Sequence, residues 1–534
     1  MADLPDVELA ALLAATEGDA AAAASRLAAA ADALDAAAGQ RLVAGLLQAR
    51  RLPQAQQTVD RLLRRWPATA ALHALRGHTL RLLGEAGEAE AALRRALELD
   101  AAHAEAALSL AFLLREQGRL GAAADVMRRL WDAQPATSEL ALRCIAFTRE
   151  CQREEVAAQI AAAALAQWPD EARLLAQAGE LALERGDFET ARAQLSAAAS
   201  RDPARGATWL RLAHSHRYRR DEPGDAADLA ALRAARASQR GEDAQTCLCF
   251  ALGKVLDDRG ERAEAVALWR EGNARARRQQ TWSSAGWERF VAQQMAAPPL
   301  PAIDAAADWR PLFVVGLPRT GTTLVASLLA RDAAVRSRGE LNWLAALAAR
   351  LGPRPDRAAL GAAAALFAAQ LRQDDAPARI YLDKNPLNFR HLGLALALFP
   401  QAQVVHCVRD LRDSGLSIWS QHFAHPDLAW SYDFGDIAAY AAGERALMAH
   451  WRRRFPAAIH ALRYEDLVQD SDAALASLRE FLGLPPSAGD AAAPAGAIRT
   501  ASVWQARQAV HARSVGRWRD YVALLPQLAA LSGA

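Results

Sequence analysis

The amino-acid sequence predicts a two-part chain: an all-α solenoid of stacked helix pairs, then an α/β domain built on a central parallel sheet. Three observations predict it. Apolar and small residues recur with a 34-residue step through the first part, a proline-rich break follows, and beyond it short β-branched runs alternate with helical stretches. A chain of 534 residues also exceeds what one hydrophobic core organises. The expected division is a helical repeat domain over 1–290, a linker over 291–308 and the α/β domain over 309–534.

The first part is dominated by Ala, Leu, Arg and Glu, with apolar residues at helical spacing and few β-branched ones, which favours helices throughout. Pro67, Ala101, Pro135, Pro169 and Pro203 stand 34 residues apart, four of the five being prolines that close a helix. Gly84, Gly118 and Gly186 mark a turn between paired helices, and Gln152 fills the missing member of that series. Small residues recur where helices must approach closely: Gly77, Ala111, Gly179 and Ala213 in one column, Ala55, Ala89, Ala123, Ala157 and Ala191 in another. Over about residues 36 to 220 this pattern resembles the tetratricopeptide repeat. Each pair has too little core of its own and buries its apolar face on its neighbours. Such arrays specify a shape and not a ligand, so two roles stand side by side: a groove for a peptide or partner, or a dimerisation or spacer element.

Pro298, Pro299 and Pro301 lie in a stretch without apolar periodicity, which reads as linker and suggests that residues 302 to 534 fold alone. Four apolar runs follow, PLFVVG, ARIYLDK, AQVVHCVRD and AIHALRYEDL, separated by helical stretches. That grammar implies a parallel sheet covered on both faces, with ligands at the carboxyl ends of its strands. The first run leads into GLPRTGTTLVASLLA, a strand-to-helix turn ending at a helix N-terminus. Unpaired N–H groups and the helix dipole favour an anion there. Gly321 permits close backbone approach, Thr320, Thr322 and Thr323 can donate hydroxyls, and Arg319 offers a cationic fork. The turn is P-loop-like, yet Thr322 follows Gly321 where an ATP-binding loop carries lysine.

With PRTGTT the chain resembles sulfotransferases that use 3′-phosphoadenosine-5′-phosphosulfate (PAPS), and within them most nearly the tyrosylprotein sulfotransferases, over about residues 311 to 520. The resemblance implies a role for each matching residue. Glu340, in Arg338-Gly339-Glu340, is implied as catalytic base and Lys384, in RIYLDKNP, as catalytic lysine. Arg409 and Ser417, in VVHCVRDLRDSGLSIWS, are implied as the clamp on the adenosine 3′-phosphate. Tyr464 in LRYEDL matches a nucleotide-contacting tyrosine, while Ser502 and Arg517 match a C-terminal donor-binding segment, Ser502 as a hydrogen-bond donor in the transition state. Gln421 departs from the pattern, standing where relatives have a basic residue. The acceptor is a hydroxyl of protein tyrosine, saccharide, lipid or small molecule; the acceptor-binding residues of the relatives have no match here.

Composition narrows the rest. With 63 basic and 61 acidic residues the chain has no global field to recruit nucleic acid or an anionic membrane. Met1 to Ala10 has no basic segment followed by an apolar one, and no long uncharged apolar stretch follows, so the reading is a cytoplasmic protein. An odd count of five cysteines argues against a disulfide framework, and no cluster of metal ligands is apparent. Two rival functions remain: a P-loop kinase, disfavoured by the missing loop lysine, and a repeat scaffold carrying an inert nucleotide-binding domain.

Overall fold

The computed structural model describes residues 20–133, 137–301, 303, 308–485 and 512–531. Ser502, Pro135 and most of the 302–307 stretch lie outside these. By its internal packing the chain forms two compact units, one of residues 1–167 with 373–375, the other of residues 168–372 and 376–534.

The first unit is a succession of antiparallel helix pairs, for example Ala70–Leu83 with Ala86–Leu99 and Ala104–Glu116 with Leu120–Ala133. The alanine column is the packing column: Ala55, Ala89, Ala123 and Ala157, with Ala191 of the second unit, are all 0% exposed. A larger side chain there would force the helices apart. The turn column is equally regular. Gly84, Gly118 and Gly186 have φ of 88°, 76° and 86°, and Gln152 keeps the left-handed turn at 57°. Arg50, one period before Gly84, does so too, at 57°. A non-glycine residue pays roughly 1–2 kcal/mol for this conformation, so repeat packing sets the turn even where sequence chemistry opposes it.

The second unit continues with helix pairs through Glu242–Asp258 and Arg262–Gln279, adds a helix Ser284–Ala296, and then builds the sheet. Among these the helix Pro223–Ser238 opens on Pro223, where the missing N–H costs nothing. The strands are β1 (Arg310–Gly316), β2 (Val335–Ser337), β3 (Ile380–Asp383), β4 (Gln403–Val408) and β5 (Ile459–Arg463), in the order β2-β3-β1-β4-β5. All neighbours pair in parallel, with Phe313 opposite Asp383 on one side of β1 and Gly316 opposite Cys407 on the other. After β1 the chain runs to the edge strand β2, returns inward to β3, and then crosses to β4 on the other side of β1. The strand order therefore reverses between β1 and β4, and a crevice opens at their carboxyl ends.

Strand periodicity explains the unbroken apolar run of β1. Leu312 and Val314 face one core with Val405, Cys407 and Leu462, while Phe313 and Val315 face the other. That second core runs from Leu195 through the sheet to Leu531 and includes Trp269, Trp287 and the helix Phe434–Arg454. Tyr440 is held between two indoles, Trp430 at 4.0 Å and Trp287 at 4.3 Å between ring centroids. Each such buried aromatic contributes about 1.5–3 kcal/mol. The helices of residues 206–296 are thus covered by the same side chains that cover one face of the sheet. Among the described residues no helix is long and apolar enough to cross a membrane.

Candidate active site

The loop after β1 is forced into shape by contacts on both sides. Arg319 has a φ of 70° and Gly321 of 94°. A Cβ on Gly321 would stand 2.6 Å from the ring of Tyr464, so only glycine allows the loop and that ring to share the space. The helix Thr322–Leu329 begins directly after, with no side chain capping its N-terminus. Thr320 and Thr322 are buried, and the Thr320 hydroxyl donates to the Leu317 carbonyl at 2.7 Å.

Three guanidinium groups meet this loop. Arg319 Nε donates to Ser417 Oγ at 2.9 Å. Arg409 donates through Nη1 to the Arg319 carbonyl at 3.0 Å and through Nη2 to the Ser514 carbonyl at 2.6 Å. Its guanidinium lies 4.5 Å from the centre of the Tyr464 ring. Burial, and then the neighbouring charges of Arg409 and Arg517, push Arg319 down to about 10. Cations held this close repel one another, a cost that an anion between them would offset, and one atom shows where hydrogen-bonding capacity is left over. Arg409 Nε is buried without a partner among the described residues. Thus Arg319, Thr320, Gly321, Thr322, Thr323, Arg409, Ser417 and Tyr464 are gathered at the β1–β4 crevice. Arg517 joins them through its field, with its own side chain engaged by Asp257 and Tyr521.

The second group stands at the ends of β2 and β3. The backbone ladder is prolonged past the strands, Arg338 N donating to the Leu382 carbonyl and Lys384 N to the Gly339 carbonyl, each at 2.7 Å. This brings Glu340 and Lys384 together, and Lys384 Nζ donates to the Glu340 carboxylate. Arg338 anchors the turn from below, its Nη2 donating to the Arg372 carbonyl at 2.8 Å.

Asp383 escapes a reading by sequence alone. Its buried carboxylate accepts from Leu341 N and Asn385 N, each at 3.1 Å, and from Asn388 Nδ2 at 2.8 Å. It therefore ties the Glu340 turn to the Lys384 strand end. Burial outweighs these donors and raises the carboxyl to about 7. The only signal in the sequence was an acidic residue closing an apolar run. His406 and His422 have structural partners: His406 Nε2 lies 2.6 Å from Glu444 in a buried pair, and His422 Nδ1 lies 3.1 Å from the Tyr432 hydroxyl. His216, Asp225 and Asp228 bring ligand-type atoms within 4.8 Å of one another. Arg192 already donates to both of those carboxylates, at 2.7 and 2.9 Å, so the group is an ion-pair network.

Two stretches of the chain match known families. Residues 311–488 match the sulfotransferase family, and residues 70–103 match the tetratricopeptide repeat. The chain thus carries a sulfotransferase-family domain behind an array of tetratricopeptide type. An uncharacterized protein of Aquifex aeolicus (strain VF5) is 31% identical over 233 residues, which are 40% of this chain and 31% of that protein. The chain therefore spans about a third of the length of the curated relative it matches. Among solved structures, the sulfotransferase domain of the Synechococcus PCC 7002 olefin synthase is 19% identical, with a TM-score of 0.31 over 44% of this chain and 98% of that one. YrrB, described as a tetratricopeptide protein with an unusual peptide-binding site, is 15% identical, with a TM-score of 0.25 over 39% of this chain and 96% of that one.

Proposed function

We propose that this chain transfers a sulfuryl group from PAPS to an acceptor hydroxyl. The observation that carries the reading is the cluster of Arg319, Arg409 and Arg517 around an uncapped strand-to-helix loop, with Arg409 Nε buried and still without a partner among the described residues. A nucleotide with phosphate on both sides of its ribose fits that donor set. Arg409 and Ser417 would hold the 3′-phosphate, the loop from Arg319 to Thr323 and Arg517 the 5′ side, and Tyr464 would stand beside the ribose and base.

The donor supplies the sulfuryl group, and the residues of this chain supply position and charge, which is most of what such transfers need. Glu340 accepts the proton of the acceptor hydroxyl as its oxygen bonds to sulfur and the sulfur–oxygen bond to the nucleotide breaks. Lys384, with Arg319, balances the charge that develops on the departing oxygen and the sulfuryl oxygens. Ser502 is assigned a hydrogen bond to the same group. No step of this scheme requires a metal. The repeats are assigned the binding of a peptide or protein, as acceptor or partner, with dimerisation as the second reading; a cytoplasmic location belongs to the same proposal.

Calorimetry with adenosine 3′,5′-bisphosphate, AMP and ATP tests the donor site. The bisphosphate is expected to bind about ten- to a hundred-fold more tightly than AMP, the worth of a charge-assisted contact. Equal binding of the two would overturn the 3′-phosphate assignment, and a preference for ATP would favour a kinase.

A further inference from the structure

The helix Glu242–Asp258 belongs to the helical array, yet its last turn reaches the C-terminal donor-binding segment. The Asp257 carboxylate accepts from Arg517 Nη2 through one oxygen and from the Tyr521 hydroxyl through the other. Arg517 Nη2 also donates to the Tyr521 hydroxyl at 3.1 Å. Tyr521 is 1% exposed and packs against Trp269 of the following helix at 6.3 Å. Asp257 therefore grips one edge of the guanidinium. Nε and Nη1 of Arg517 donate to nothing among the described residues, and 34% of the side chain is exposed.

The same helix pair holds the opposite wall. Asn273 Nδ2 donates at 2.9 Å to the carbonyl of Trp419, the last residue of the helix that carries Ser417. Arg517 lies within the field of both Arg319 and Arg409. Three cations crowded together repel one another, and a flexible arginine would swing away into water. A carboxylate fixed behind Arg517 keeps it in the cluster and leaves its outer edge for an anion.

We propose that Asp257 is a positioning residue of the donor site, holding Arg517 toward the donor phosphates, so that donor affinity depends on a residue outside the α/β domain. This rests on the reading of Arg319, Arg409 and Ser417 as the donor site. The contrary arrangement, in which Asp257 competes with phosphate for Arg517, predicts tighter binding by Asp257→Ala.

The test is titration of the full chain with adenosine 3′,5′-bisphosphate, with thermal melts confirming that each variant is folded. Asp257→Ala is expected to weaken binding about tenfold, within the range of a charge-assisted contact. Asp257→Asn keeps an acceptor for Nη2 and should recover part of the loss. Combining Asp257→Ala with Arg517→Ala should bind no worse than Arg517→Ala alone, because residues acting through one group do not add. Arg270→Ala removes a bond to the Leu524 carbonyl across the same contact and should stay within about twofold of the parent, near the limit for independent sites. Unchanged or tighter binding by Asp257→Ala overturns the proposal, as does a loss in Arg270→Ala as large as in Asp257→Ala, or simple additivity in the double variant. In each of these cases a bisphosphate preference that Arg409→Ala abolishes leaves the donor site itself standing. A parent chain with no preference for the bisphosphate over AMP removes the donor site and the positioning role together.

Discussion

Lys384 Nζ rests on the carboxylate of Glu340, although the two residues are 44 apart in the chain. The lysine side chain is 5% exposed and the glutamate 45%. The ammonium is therefore enclosed by the protein, while the carboxylate is open to solvent. Their juxtaposition depends on the prolonged β2–β3 ladder and on the Asp383 carboxylate that joins both turns.

Replacing Glu340 by Gln preserves shape and removes the proton acceptor. Turnover is expected to fall by about 10² to 10⁴, with affinity for adenosine 3′,5′-bisphosphate within about twofold, since the phosphate-facing groups are untouched. Lys384→Met should also lose turnover, and the double variant should lose little more than the worse single one. Steady-state rates with any phenol that the parent chain sulfates, beside calorimetry, check this; full additivity would show that the pair does not act as a unit.

Gly321→Ala places a methyl in a left-handed conformation and against the Tyr464 ring, 2.6 Å from its nearest atom. Strain of about 1–2 kcal/mol and displacement of the ring should abolish bisphosphate binding while the far-ultraviolet circular dichroism stays unchanged. Retained nucleotide binding would mean that the loop and Tyr464 do not share one ligand.

Asp383 predicts a pH dependence of stability. Its carboxyl is raised from an ordinary 3.8 to about 7 in the folded chain, so between those values the folded state binds more protons than the unfolded state. Stability from this group is greatest below pH 4 and falls as pH rises toward 7. Asp383→Asn removes the titration, and Asn388 can turn its amide to meet the new one. Relative to the parent, the variant should gain about 3 kcal/mol of stability from pH 4.5 to pH 7.5. Urea denaturation at the two pH values measures it, and a difference that does not change with pH would contradict the assignment.

A fragment of residues 302–534 loses Trp287 from the Tyr440 ring, Trp269 from Trp419, and Asp257 from Arg517. The uncovered aromatic surface should make it aggregate or bind hydrophobic dyes. A fragment of residues 168–534, which holds the whole second unit together with residues 373–375 of the first, should stay monodisperse and bind bisphosphate like the full chain. Light scattering and calorimetry on both fragments decide this; a well-behaved 302–534 fragment with native affinity would show that the helical layer is dispensable.

Much of this molecule is written in short stretches of its sequence, because the forces involved are local or strictly periodic. The 34-residue step, the alternating strands and the strand-to-helix turn from Gly316 to Thr323 each follow from neighbours within one or two elements. Arg50 could have been found the same way, by stepping back one period from Gly84, but its side chain argues against the backbone it adopts. Other features depend on contacts between distant segments. Asp257 reads as the polar end of an amphipathic helix, Trp287 as an aromatic in a terminal helix, and Asp383 as the last residue of a strand. Only the folded chain places Asp257 behind Arg517, 260 residues away, seats Trp287 on Tyr440 and buries Asp383 beneath the Glu340–Lys384 pair. Burial and ion pairing are decided by which surfaces meet, and a surface residue carries no local mark of the partner that will cover it.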